Sequence, residues 1–276
     1  MNPITRFIKR YPLAVFFSLA IGTFYAGNLW KVNDPNSPWY LSIYGTGLSA
    51  LFVVAVTEGR AGIKAWASRI VRWRVGLIWY VVAFSAPLIL QLTGYALDIA
   101  LGTPAPFTSF WSRLSIFPTQ FIPIMLVIAL GEETGFRGYA LPKLLEKHSP
   151  LAATLILGTL HAIWHVPLFL TGDSWWVVLH VIGGAFLFTW IFMNTRGSVL
   201  LAILLHSANN AWAKVISPSF GGVFADQYTM LVGFAFVAMT AILIFAARPK
   251  MTRKLETGRD TMAVEGLLVA KERITS

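Results

Sequence analysis

Eight long apolar segments dominate this sequence, and each is long enough to cross a lipid bilayer. A transmembrane helix needs about 20 mostly apolar residues, because each residue adds about 1.5 Å along the axis. The chain is 56% hydrophobic and only 12% charged, which excludes an ordinary soluble domain. The sequence therefore predicts an all-α, polytopic integral membrane protein of about eight transmembrane helices. The predicted segments are residues 12–30, 39–57, 75–101, 118–146, 150–170, 175–195, 198–213 and 228–247.

Basic residues are concentrated between alternate segments. If the N-terminus is cytoplasmic, 19 of the 22 Lys and Arg residues lie on the cytoplasmic side, and only Lys31, Arg113 and Lys214 do not. This asymmetry is typical of cytoplasmic loops, so both termini are predicted to be cytoplasmic. The net charge of +10 then reflects topology in the lipid bilayer, and no nucleic-acid partner is expected. The chain has no cysteine, which excludes thiolate catalysis and disulfides.

The polar residues divide the chain into regions. A transmembrane scaffold includes an interfacial amphipathic helix at residues 60–74, whose basic side chains lie off its apolar face. A core that carries most of the buried polar groups follows. We place the scaffold at 1–117, the core at 118–213, the last transmembrane helix at 214–247 and a basic cytoplasmic tail at 248–276.

Three polar clusters interrupt the apolar segments of the core. They are Glu132-Glu133-x-x-x-Arg137, His165, and His206-x-x-x-Asn210. An ionisable group at the centre of a membrane helix costs about 2.5–3.5 kcal/mol on insertion scales. Counted along the helices, all three clusters can lie at one level in the cytoplasmic half or near the midplane. The sequence therefore predicts one buried polar site inside the helical bundle.

The two glutamates are expected to differ in role. Adjacent helical residues point about 100° apart, so Glu132 and Glu133 cannot face the same target. Glu133 lies four residues before Arg137, the favourable order for an ion pair, and is predicted to be structural. Glu132 has no local partner, and a carboxylate in an apolar pocket suits a general base.

The histidine and asparagine clusters each have two interpretations: residues of a catalytic site, or polar contacts that join helices. His165 precedes Val166-Pro167, and the proline frees a backbone carbonyl near residue 163, which favours a site there. His161 lies four residues before His165, on the same face.

His206 and Asn210 share a face and could donate hydrogen bonds to an oxyanion, or could simply join helices. Asn209 is expected to face elsewhere, His180 to pack in the core, and His148 to be solvated.

Taken in order, these motifs resemble the CPBP family, the CAAX prenyl protease 2-like (Abi) intramembrane proteases, over residues 118–213. The resemblance implies a base at Glu132 that activates water with His165, and oxyanion donors at His206 and Asn210. It implies an architectural pair of Glu133 with Arg137. The family's second motif is commonly F-x-x-x-H, whereas His161 occupies the aromatic position here, so whether His161 joins the site stays open.

No cofactor is assigned from the sequence, although zinc is possible. Glu132, His165 and His206 together supply one carboxylate and two imidazoles, a set that zinc accepts. The same groups could instead hold a water molecule without a metal ion, and we favour this interpretation. The competing view is the metalloprotease label that the family often carries. Glu132 cannot easily be both a tight ligand and a free base.

The expected function is hydrolysis of a peptide bond in or near the bilayer, with the site open to the cytoplasm. The expected partners are the lipid bilayer and a peptide or membrane-protein substrate. Two alternatives remain open: a non-catalytic immunity or scaffold relative, and a proton-coupled transporter, since buried Glu and His also form proton relays. The transporter is disfavoured, because the two halves of the chain show no matching pair of broken helices.

Overall fold

The computed structural model describes residues 2–104, 108–217 and 223–246. Over these residues the chain forms helices and turns and contains no strand, which confirms the predicted all-α class. The helices are α1 (Pro3–Arg10), α2 (Pro12–Asn33), α3 (Gly45–Thr57, after a 3-10 turn at Trp39–Tyr44), α4 (Gly59–Ile70), α5 (Leu77–Ala100), α6 (Thr108–Arg113), α7 (Ile116–Leu145), α8 (Pro150–Leu170), α9 (Val177–Asn194), α10 (Val199–Ile216) and α11 (Val223–Ala246).

Eight of the described helical stretches are long and apolar enough to cross a membrane, as predicted. Helix α10 is central to their packing, because it lies against both α5 and α7. Helix α11 packs against α5 and α9, α8 packs against α9, and α3 lies between α2 and α7. The predicted basic tail, residues 248–276, lies outside the described residues.

Helix α7 is irregular on both sides of the glutamate pair. Two π-helical stretches, Ile124–Ala129 and Phe136–Ala140, flank the regular segment Leu130–Gly135. Such wide turns are rare in helices and frequently occur at functional sites. Gly135 lets α3 pack closely here, because a Cβ on this residue would lie 2.4 Å from Thr46 Cγ2 and 2.6 Å from Thr46 O. The glutamate pair is therefore held in a narrow space between helices.

Helix α4 ends at Ile70, so the predicted helix over residues 60–74 is four residues too long. The following chain instead pairs with the α9–α10 connection. Ser198 Oγ donates to the carbonyl oxygen of Arg72 at 2.7 Å, and the Arg196 guanidinium donates to that of Arg74. These partners for the backbone replace the hydrogen bonds that a longer helix would have made.

Candidate active site

The two adjacent glutamates of α7 are buried and contact different helices. Glu132 is 3% exposed and Glu133 is fully buried. Glu132 Oε2 lies 3.0 Å from Nε2 of His161 on α8. Glu133 contacts Arg137 one turn further along α7 and His206 on α10. The residues thus diverge as helical geometry requires, and each carboxylate joins α7 to a different neighbour.

Glu133 links α7 to α10 through two cationic or protonatable partners. Its Oε2 lies 3.1 Å from Arg137 Nη1, and its Oε1 lies 2.8 Å from His206 Nδ1. Arg137 is 1% exposed, and its guanidinium carbon lies 4.1 Å from the centre of the Phe188 ring on α9. A buried charge needs such partners, because an unpaired one is costly in an apolar interior.

His206 binds Glu133 through Nδ1, which determines what its other ring nitrogen can do. With Arg137 beside it, Glu133 is a carboxylate and accepts the hydrogen bond from the Nδ1–H of His206. In the neutral ring Nε2 then carries a lone pair and can only accept. Donation from Nε2 to an oxyanion therefore requires the doubly protonated imidazolium form of His206.

His161 contacts the proposed base directly, a contact that the sequence left open. Its Nε2 donates to Glu132 Oε2, since a carboxylate oxygen accepts. The ring lies 4.2 Å from that of Phe136 on α7, measured between centroids. Among the described residues, Nδ1 of His161 has no hydrogen-bond partner. His161, which occupies the position where the CPBP motif commonly has an aromatic residue, is thus a polar neighbour of Glu132.

His165 lies one turn further along α8, with a ring centroid 4.7 Å from that of His161. Its Nδ1–H donates to the His161 carbonyl oxygen at 2.9 Å, so Nε2 of the neutral ring is left to accept a hydrogen bond. Pro167 has the predicted effect on the backbone nearby. The carbonyl oxygen of Ile163 accepts a hydrogen bond from the Tyr25 hydroxyl at 2.8 Å.

The structure changes the set of residues that could hold a metal ion. Among the described residues, Glu132, His161 and His165 place one ligand atom each within 4.8 Å of one another. His206 is not in this group, in contrast to the predicted set of Glu132, His165 and His206, because its Nδ1 turns to Glu133. One carboxylate and two imidazoles remain a donor set that zinc accepts.

On α10, Asn209 faces Asn210 more closely than predicted. Asn209 Nδ2 donates to Asn210 Oδ1 at 3.1 Å, and Asn209 Oδ1 accepts from Gln91 Nε2 on α5 at 3.2 Å. Gln91 was not predicted as part of the site, although a polar side chain within an apolar segment was a signal for it.

The two remaining histidines lie apart from these contacts. His180 binds the Thr229 carbonyl oxygen at 2.7 Å, and His148 is exposed.

Helix α4 supports the irregular part of α7 from outside the site. Trp66 Nε1 donates to the Thr134 carbonyl oxygen at 2.9 Å, and Arg69 Nη2 donates to that of Gly138 at 3.1 Å. Burial lowers the pKa of Arg69, an effect that nearby Glu58 partly offsets. The predicted interfacial helix thus binds carbonyl groups beside the glutamate pair.

These features define a class: a polytopic membrane protein with buried carboxylates and imidazoles brought together from three helices. Residues 114–212 match the family model described as type II CAAX prenyl endopeptidase Rce1-like. The chain is also 24% identical over 262 residues to CAAX prenyl protease 2 of Methanococcus maripaludis, covering 86% of this chain and 94% of that protein. The predicted resemblance to CAAX prenyl protease 2-like proteins is confirmed, and it supports a membrane protease with a peptide or protein substrate.

Proposed function

We propose that this chain is an intramembrane endopeptidase that hydrolyses a peptide bond with water activated by Glu132 and His165. The observation that carries this proposal is the separation of the two glutamates. Glu132 faces the imidazoles of α8, whereas Glu133 is occupied by Arg137 and His206. One carboxylate is therefore available for proton transfer, and its neighbour is committed to holding α7 and α10 together.

In the proposed reaction, a water molecule lies between Glu132 and Nε2 of His165. The Glu132 carboxylate takes a proton from this water as its oxygen attacks the scissile carbonyl carbon. The carbonyl oxygen becomes an oxyanion. The C–N bond then breaks, and the proton held by Glu132 passes to the leaving amine. His161 positions Glu132 through its hydrogen bond to Oε2.

His206 and Asn210 are the proposed donors to the oxyanion. Prearranged donors accelerate such reactions because the negative charge develops only in the transition state. Asn210 Oδ1 accepts from Asn209, which leaves its Nδ2 as a donor. The imidazolium form of His206 donates from Nε2 while Glu133 accepts from Nδ1 and balances the charge.

The alternative is a zinc enzyme in which Glu132, His161 and His165 hold the ion. A bound zinc ion would polarise the scissile carbonyl as a Lewis acid. His165 suits this role because its Nδ1 binds a carbonyl group, as in many metal sites. His161 suits it less, because Nδ1 has no partner among the described residues and metal-bound histidines normally donate from that atom. We therefore favour the metal-independent reaction.

For the substrate we propose a membrane-associated peptide or protein, with a prenylated C-terminal Cys-aliphatic-aliphatic-X sequence as the first candidate. The name of the relative from M. maripaludis supports this class. We also propose that the site opens to the cytoplasm and that both termini are cytoplasmic. Support comes from contacts between connections that carry basic residues, which are typical of the cytoplasmic side. Arg72, between α4 and α5, donates to the Arg196 carbonyl oxygen between α9 and α10. Lys143, near the end of α7, pairs at 3.1 Å with Glu58 between α3 and α4.

The test uses full-length protein in detergent and an internally quenched peptide ending in a farnesylated Cys-aliphatic-aliphatic-X sequence. Its unprenylated twin is the control for substrate class. We expect wild-type protein to cleave the farnesylated peptide and Glu132→Gln to lose cleavage. Equal activity of wild type and Glu132→Gln would contradict the proposal.

The same assay tests the metal. After exhaustive chelation and dialysis, activity should persist, with well under one zinc ion per chain by elemental analysis. Loss of activity on chelation, recovery with Zn²⁺ and loss of bound zinc in both His161→Ala and His165→Ala would establish the zinc alternative. Loss of zinc in His206→Ala alone would contradict the donor set identified above.

A further inference from the structure

A chain of hydrogen bonds connects the proposed oxyanion donor to helices outside the matched region. The Tyr228 hydroxyl on α11 donates to Gln91 Oε1 on α5. Gln91 Nε2 donates to Asn209 Oδ1 at 3.2 Å, and Asn209 Nδ2 donates to Asn210 Oδ1 at 3.1 Å. Gln91 and Tyr228 both lie outside residues 114–212, over which the family model matches.

The chain of hydrogen bonds runs in one direction. A primary amide has an acceptor at its oxygen and donors at its nitrogen, so binding at one end determines what the other end presents. In the structure Gln91 Oε1 accepts from the Tyr228 hydroxyl, Gln91 Nε2 faces Asn209, and Asn209 in turn presents its nitrogen to Asn210. Asn210 then has its oxygen occupied. Within the described residues, no hydrogen bond engages its Nδ2.

We propose that Gln91 and Tyr228 are positioning residues that orient the Asn210 amide with its nitrogen toward the reacting carbonyl oxygen. This inference rests on the proposed function, which makes Asn210 an oxyanion donor. Without these hydrogen bonds, the Asn210 amide could turn by 180° and present its carbonyl oxygen, which would repel the oxyanion. The two residues therefore act on the reaction through Asn209 and Asn210 and do not touch the substrate.

The surroundings of Gln91 and Tyr228 are built to hold them in place. Gln91 is 1% exposed and Tyr228 is 2% exposed, so each polar group depends on protein partners. Helices α5 and α11 approach closely one turn away, at Gly94. A Cβ on Gly94 would lie 2.3 Å from Val232 Cγ2 and 3.0 Å from the Val232 backbone nitrogen. This contact brings Gln91 and Tyr228 within hydrogen-bonding distance.

A purely structural role, in which the same hydrogen bonds only join helices, makes a different kinetic prediction. An oxyanion exists in the transition state and not in the bound substrate, so a misoriented Asn210 lowers kcat and leaves KM unchanged. If Gln91 acts only through Asn210, its removal has no further effect once the Asn210 amide is gone. A structural residue would lower kcat in both backgrounds.

The first experiment is a double-mutant cycle in the full-length protein, with the farnesylated quenched peptide as the probe. We expect Gln91→Met to lower kcat about three- to tenfold, the effect of one lost neutral hydrogen bond, and Tyr228→Phe to lower it less. KM should not change. In the Asn210→Ala background, Gln91→Met should lower kcat no further. Asn28→Leu removes a buried amide whose one hydrogen bond within the described part of the chain goes to the Phe24 carbonyl oxygen. It is the matched control and should keep wild-type kcat.

The second experiment needs no activity. The side-chain ¹⁵N amide signal of Asn210, identified by its absence in Asn210→Ala, should shift in Gln91→Met and in Tyr228→Phe but not in Asn28→Leu. An unchanged signal in Gln91→Met would overturn the inference, as would an equal loss of kcat in both backgrounds of the cycle. If wild-type protein fails to cleave the probe, the proposed function fails for that substrate, and the amide signal still tests the orientation of Asn210.

Discussion

The two sides of the site are assembled differently. The base side consists of Glu132, His161 and His165, which come from α7 and α8, consecutive helices of the chain. The oxyanion side consists of His206 and Asn210 on α10, and its partners come from α7 and, through Asn209, from α5. One side thus depends on two neighbouring helices, whereas the other depends on long-range contacts across the bundle. Changes far from the substrate should therefore affect the oxyanion side more than the base side.

The largest expected effect concerns the contact that joins the two sides. Replacing Arg137 with Met leaves Glu133 buried with His206 as its one remaining partner among the described residues, which should destabilise the fold by about 3–5 kcal/mol. Thermal unfolding in detergent measures this loss. The double variant Glu133→Gln/Arg137→Met removes both charges and should recover part of the stability. Unchanged melting together with lost cleavage would move Arg137 from the architecture to the substrate.

The next effect distinguishes the oxyanion side by its kinetics. Asn210→Ala should lower kcat about 10²–10³-fold with little change in KM, because the lost donor acts in the transition state. Asn28→Ala, at a buried asparagine on α2, is the control and should retain wild-type kcat. A rise in KM with unchanged kcat would show that Asn210 binds substrate and does not stabilise the oxyanion.

The smallest effect tests how far the base side depends on His161. His161→Phe introduces the aromatic residue that is common at this position in the CPBP family, which the chain resembles, and Glu132 and His165 remain to hold the water. We expect kcat/KM to fall by no more than about 10- to 100-fold, the size of one hydrogen bond to a charged group. A loss as large as that of Glu132→Gln, accompanied by loss of bound zinc, would instead favour the metal alternative.

The same contrast explains what the sequence could predict. Apolar length was sufficient for the eight segments, and spacing of four residues was sufficient to pair Glu133 with Arg137. Local patterns report residues on one helix face, which is why His161 and His165 were expected side by side. Whether His161 reaches Glu132 depends on how α7 and α8 align, and the π-helical stretches of α7 alter that alignment.

The contacts of α10 were beyond local patterns altogether. His206 binds a residue 73 positions earlier in the chain, and Gln91 binds Asn209 118 positions later. No spacing rule connects such residues. The sequence therefore grouped His206 with Glu132 and His165, whereas the structure brings His161 to that group, and Gln91 was missed. Spans four, five and seven carried the visible Glu, His and Asn residues, whereas Gln91 is a neutral residue in the predicted scaffold.

Glu132 is proposed to be the base and Glu133 the residue that holds α7 and α10 together, and one paired measurement distinguishes these roles. Turnover of the farnesylated peptide and thermal unfolding should be measured for Glu132→Gln and Glu133→Gln in the same detergent. We predict that Glu132→Gln lowers turnover about 10²–10⁴-fold and melts like wild type, because it removes the base and keeps the shape of the side chain. Glu133→Gln should lower the melting temperature, because it weakens the contacts to Arg137 and His206. Near-wild-type turnover in Glu132→Gln, together with an inactive but stable Glu133→Gln, would reverse the two roles.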